Sequence, residues 1–178
     1  MLTLLEGPRK CRGFSLIELM VGISIVAIVA GLAAPSFRAL IANAQIRTAA
    51  QALHDGLKVA RVEAIRRNER VSFNKTADSS WNVSVDSSAL VVQSRVSGEG
   101  SASASVAVTP VAGTIVTFDA LGRVVTPGAG TTITQLDISV PPAVLPASAA
   151  KNLRIAINAG GGIRLCDPNA TAGIGMGC

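Results

Sequence analysis

Residues 12–37 read RGFSLIELMVGISIVAIVAGLAAPSF. From Leu19 to Phe37, nineteen consecutive residues carry no charge. At about 1.5 Å per residue, a helix of that length reaches ~28 Å, close to the hydrocarbon thickness of a bilayer. Arg9, Lys10 and Arg12 precede the run and Arg38 follows it. Basic flanks stay on the cytoplasmic side, which places the N-terminus inside and everything beyond Arg38 outside. A cleavable secretory signal has the same basic flank and apolar centre, and Gly31-Leu32-Ala33-Ala34 offers small residues for a cut. The length of the run favours a retained anchor. Glu18 sits at its edge. A carboxylate there is costly in lipid unless it lies at the interface, is neutral or has a cationic partner.

The same residues resemble the class III signal of type IV pilins and type II secretion pseudopilins. The shared features are a basic leader, the Gly13-Phe14 junction, Glu18 five residues into the mature chain, an apolar helix and Pro35. The resemblance implies that a prepilin peptidase of the inner membrane cuts after Gly13 and N-methylates Phe14. It implies that Glu18 neutralises the Phe14 amine of a neighbouring subunit during assembly, and that Pro35 kinks the helix. The combination is specific, whereas a lone glycine or proline would carry little.

Beyond Pro35, the residues Phe37, Ile41, Ala44, Ala50, Leu53, Leu57, Ala60 and Ala64 recur at helical spacing and predict one buried face. Arg47, Lys58, Arg61 and Arg67 fall off that face, and Glu63 is set to pair with Arg67 at i,i+4. The expected helix runs from about Phe14 to Arg70. Its lone histidine, His54, reads as a partly exposed helix residue. Past Arg70 the rhythm becomes one of short β-branched runs: VSFNK, WNVSVD, ALVVQSRV, ASVAVTP, TIVTFD, TITQLDISV and LRIAIN. Ala120-Leu121-Gly122 and Gly160-Gly161-Gly162 read as hairpin connections. Gly98–Ser105 reads as a loose loop, and Pro141 to Ala150 as an extended connector. Trp81 reads as a core residue.

The expected organisation is a cytoplasmic leader at 1–13, a transmembrane half-helix at 14–37, an amphipathic half-helix at 38–70 and a β-rich body at 71–178. Charge follows this division. Residues 38–70 hold seven basic and three acidic side chains, while 71–178 hold six of each. A basic stalk on a neutral body differs from a uniformly basic nucleic-acid binder. Composition excludes whole-chain disorder, with 49% hydrophobic and 15% charged residues.

Cys11 precedes the proposed cut. Cys166 and Cys178 remain, both on the oxidising side, enclosing the small-residue segment DPNATAGIGMG. Pairing them would stabilise the end by about 3 kcal/mol on a chain-entropy estimate; two separate thiols are the alternative. One remote histidine and no CxxC make a zinc site a poor reading. No phosphate-binding loop, dinucleotide fingerprint, zincin helix or nucleophile elbow is found, and no carboxylate pair is forced together. Neither a catalytic residue nor a cofactor is therefore expected. The sequons NKT, NVS and NAT are too short to carry weight.

The helix end ARVEAIRRNERVSF, the strand after it, TFDALGRV and LRIAINAGGGIRLCDP are similar, in this order, to the GspH/FimT group of minor pilins and pseudopilins. The resemblance implies an α+β, pilin-like fold: a long kinked N-terminal helix on an antiparallel sheet body. It implies a structural minor pilin of the FimT type, serving pilus initiation or the tip complex. The alternatives are a GspH-like pseudopilin of type II secretion and a DNA-binding competence subunit. Expected partners are prepilin peptidase, other major and minor pilins or pseudopilins, the assembly platform and inner-membrane lipid. The expected location is the inner membrane in a single pass with the body periplasmic, then the filament. In DNA-binding members a GRxR pattern lies near the C-terminus. Here it is Gly161-Gly162-Ile163-Arg164, so Arg164 fills one basic place and Gly162 replaces the other. Lys151 and Arg154 are the candidates to restore a DNA-facing patch.

Overall fold

The structure is a computed structural model that describes residues 14–170 and 176–178. Helix α1 spans Leu16–Arg67 and is assigned without a break. The chain divides into two compact units, residues 1–37 and 38–178.

In the first unit, Leu16–Ala34 has a mean hydropathy of 2.5 and none of it is buried. Phe14, Leu16, Ile17, Val26, Ile28 and Leu32 are all exposed. An apolar surface all the way round is what a lipid-facing helix presents.

In the second unit, α1 buries Ala42, Ile46, Ala49, Ala50, Leu53, Leu57, Ala60 and Ala64. The expected stripe is right from Ala50 onward and out of phase before it: Phe37, Ile41 and Ala44 are exposed. A pattern of spacings gives the period of a face but not which of two adjacent phases meets the body. Most of the buried residues are alanine, which lets the helix approach the sheets closely. The helix ends in a left-handed cap: Asn68 has φ 56°, its N–H donates to the Ile65 carbonyl (3.3 Å), and the Glu69 N–H donates to the Ala64 carbonyl (3.2 Å).

The strands are β1 (Val71–Lys75), β2 (Trp81–Val85), β3 (Val91–Arg95), β4 (Ser105–Thr109), β5 (Gly113–Phe118), β6 (Val124–Val125), β7 (Thr131–Thr132), β8 (Gln135–Ser139), β9 (Leu153–Ile157) and β10 (Ile163–Cys166). They form the expected antiparallel body, built as two sheets. One has the order β3-β2-β1-β5-β6, with β7 added parallel to β5; the other is β10-β9-β8-β4, antiparallel throughout. The register sets Phe73 opposite Val83 on one side and Val116 on the other. Alternation then sends Val71, Phe73, Val83, Val116 and Phe118 into the core with Leu136, Ile138 and Ile155 of the second sheet. Strands β6 and β10 follow the two expected hairpin connections, pairing back on β5 and β9.

Two connections also differ from expectation. Pro141 to Ala150 is a succession of turns, with Val144 N–H donating to Pro141 O and Ala149 N–H to Pro146 O, and it buries Leu145. The segment 98–105 is anchored: Ser101 is buried and shares a hydrogen bond with buried Ser79 (2.9 Å). Trp81 is a core residue, 4% exposed, its ring 5.6 Å from Phe73.

Candidate functional site

The proposed leader, with Gly13 and Cys11, lies outside the described residues. Phe14 is exposed and Glu18 occupies the first turn of α1, where a carboxylate complements the unpaired N–H groups and positive end of a helix. Among the described residues Glu18 forms no ion pair. Its side of the helix carries Gly22, Ile23 and Val26, so among the described residues its surroundings are apolar. Pro35 is inside α1 and does not end it.

Cys166 and Cys178 form a disulfide with sulfurs 2.07 Å apart. The bond secures a small return of chain. The Asp167 N–H donates to Met176 O (2.6 Å), and the Cys178 N–H donates to Asp167 O (3.3 Å). Arg164 reaches back with Nη2 to the Gly177 carbonyl (2.9 Å).

The three candidate DNA contacts are divided between two faces. Arg154 and Arg164 lie on the sheet face away from the core, because the register puts Arg154 opposite Cys166 and Arg164 opposite Ala156. There Arg154 is engaged by Asp137 (Nε to Oδ1, 2.6 Å) and Arg164 by Gly177. Lys151 is on the other side, facing α1 with Arg47 and Gln51. A carboxylate on one arginine and a chain turn on the other leave a poor seat for phosphates.

Glu63 and His54 are among the groups that titrate away from their ordinary ranges. Glu63 accepts from Arg66 and Arg67, each at 2.7 Å, and these bonds lower its pKa to about 2. His54 is pulled down by burial and by nearby Lys58, against the opposing influence of Asp55 and the Ile163 backbone. It is partly buried, as a helix residue beside β10. Among the described residues no cluster of three metal-ligating side chains occurs.

Sequence reasoning missed one junction. Arg61 Nε donates to the Gly122 carbonyl (3.1 Å), and the Val124 N–H donates to Ala159 O (3.0 Å). Gly161, with φ 80°, lies so close that a side chain there would overlap the Gly122 carbonyl oxygen. Helix, β5–β6 hairpin and β9–β10 hairpin meet at this point. Both hairpin connections and the off-stripe Arg61 were readable, but no local signal joins residues a hundred positions apart.

A membrane-length apolar helix that continues into an α-helix packed on two small sheets defines the pilin and pseudopilin class of structural subunits. Within that class, the family described as Type II transport protein GspH matches residues 49–161, and the chain belongs to it. The Prokaryotic N-terminal methylation motif matches residues 8–34. None of the curated proteins matches. Two crystal structures of the type IV minor pilin FimU from Pseudomonas aeruginosa (strain PAO1) are similar. One has 19% identity and a TM-score of 0.48, covering 67% of this chain and 90% of that one. The other has 18% identity and a TM-score of 0.46, covering 67% and 87%. The chain is a GspH/FimT-type minor pilin or pseudopilin, a subunit for pilus or pseudopilus assembly whose single N-terminal apolar helix is suited to inner-membrane anchoring.

Proposed function

We propose that this protein is a FimT-type minor pilin that enters a type IV pilus at its initiating or tip complex. The observation that carries the reading is the coincidence of the methylation motif at 8–34 with a helix, Leu16–Ala34, that buries none of its apolar surface within the chain. Such a surface requires lipid before assembly and neighbouring helices after it. Residues 1–13 are then the leader, 14–37 the membrane half of the helix, 38–70 its periplasmic half and 71–178 the body. Prepilin peptidase cuts after Gly13 and methylates Phe14. Glu18 meets the Phe14 amine of a neighbour, because a carboxylate among apolar helices is costly unpaired. Pro35 marks the boundary where the helix leaves lipid. The assembly platform and other pilins are the remaining partners, and the body faces the periplasm.

The family description supports a second reading, a pseudopilin of type II secretion. The disulfide-closed C-terminal return supports the pilus reading. A strain lacking the gene separates them: loss of surface pili with normal exoprotein release favours the pilus, and the converse favours secretion. Maturation has its own test. Co-expression with prepilin peptidase should leave N-methylated Phe14 by intact mass. Cleavage near Ala34, or none, would overturn the assignment. Glu18→Ala should be processed normally but recovered poorly in filaments.

A further inference from the structure

We propose that the groove between α1 and β10 seats an acidic segment of a neighbouring filament subunit; the inference rests on the filament-subunit reading above. Asn43, Arg47 and Gln51 follow one another at four-residue steps along one line of α1. Asn43 Nδ2 donates to the Ala149 carbonyl (3.2 Å), and its Oδ1 accepts the Lys151 N–H (2.8 Å). This clamp ties the β8–β9 connection to the helix and sets Lys151 beside Arg47, one turn along. The result is a groove of about 400 Å³ with two cations at its rim and Leu153, Leu165 and Met176 as its apolar walls.

Among the described residues neither Arg47 nor Lys151 makes an ion pair. The groove's own carboxylate, Asp167, accepts the Asn169 N–H at Oδ1 (2.8 Å). With two cations against one carboxylate, the groove presents a net positive charge over an apolar surface, which complements carboxylates carried on an apolar body. DNA is the poorer occupant. A duplex asks for a series of cations following its phosphates, and the apolar walls offer it nothing. The remaining C-terminal cations, Arg154 and Arg164, are engaged on the opposite face.

The test uses the full chain in cells assembling filaments, with a photo-crosslinking amino acid in place of exposed Gln51. The expected adduct is another pilin or pseudopilin, joined within a segment bearing Asp or Glu. Combining Arg47→Gln with Lys151→Gln should cut its yield by about fivefold or more, from the usual worth of two rim charges. Arg47→Lys should keep most of it. Lys151→Glu alone, at an exposed position, should lower the yield without disturbing Trp81 emission, which guards against misfolding. An adduct with DNA or lipid, or a yield indifferent to both cations, overturns the proposal. Presence in filaments without any adduct overturns the groove and leaves the filament reading standing. Absence from filaments removes both.

Discussion

Replacing Gly56 with alanine tests how closely α1 and the first sheet approach. On helix propensity alone the change should stabilise by roughly 0.8–1 kcal/mol. The surroundings oppose it. An added Cβ would lie 2.8 and 2.9 Å from Cε2 and Cζ2 of Trp81 and 3.0 Å from Phe73, where carbon atoms prefer about 3.5–4.0 Å. Trp81 has little room to yield. It is 4% exposed, its backbone is paired with Lys75 and Arg95 on either side, and its ring leans on Phe73. Overpacking of this kind costs about 1–3 kcal/mol, so Gly56→Ala should destabilise by about 1–2 kcal/mol net. For a unit of this size that is a fall of roughly 3–7 °C in Tm. Trp81 is the chain's one tryptophan, so its emission reports unfolding directly. In a Trp81→Phe background, followed by circular dichroism, the overlap is relieved and Gly56→Ala should become stabilising. That variant also removes an indole N–H that is buried without an acceptor among the described residues. A stabilising Gly56→Ala in the native background, or additive effects in the double variant, would refute the close-approach argument.

Three further outcomes are expected. Gly161→Ala should cost roughly 3 kcal/mol or more, since strain at positive φ adds to overlap with Gly122; a normal Tm would dissolve the three-way junction. Asn68→Gly should stabilise slightly and Asn68→Val destabilise by about 1 kcal/mol or more, because the cap needs φ 56°; equal Tm values would contradict that. Glu63 has a lowered folded pKa, so its contribution is fully present above pH 4.5 and is lost as pH falls through about 2. Glu63→Gln should therefore cost up to about 1 kcal/mol at pH 7 and nothing below pH 2, read from denaturant midpoints.

The apolar segment and the methylation motif were legible because each depends on neighbours in the chain: length without charge, flanking cations, a fixed short spacing. The same is true of the helix from Ala50 onward and of the strands whose β-branched runs are bounded by turn residues, VSFNK and WNVSV among them. The Cys166–Cys178 pair was readable too, being close in sequence and alike in compartment. Tertiary structure alone decided the partition of strands into two sheets, since β1 pairs both with its neighbour β2 and with distant β5. It also decided which phase of the helix is buried before Ala50, where Ala42 and Ile46 replace Ile41 and Ala44. The candidate sites divide in the same way. Alternation along β9 and β10 turns Arg154 and Arg164 outward, while the Asn43 clamp holds Lys151 against the helix. Cations counted along the chain divide between two faces in space, because strand pleat and long-range pairing assign each one its face.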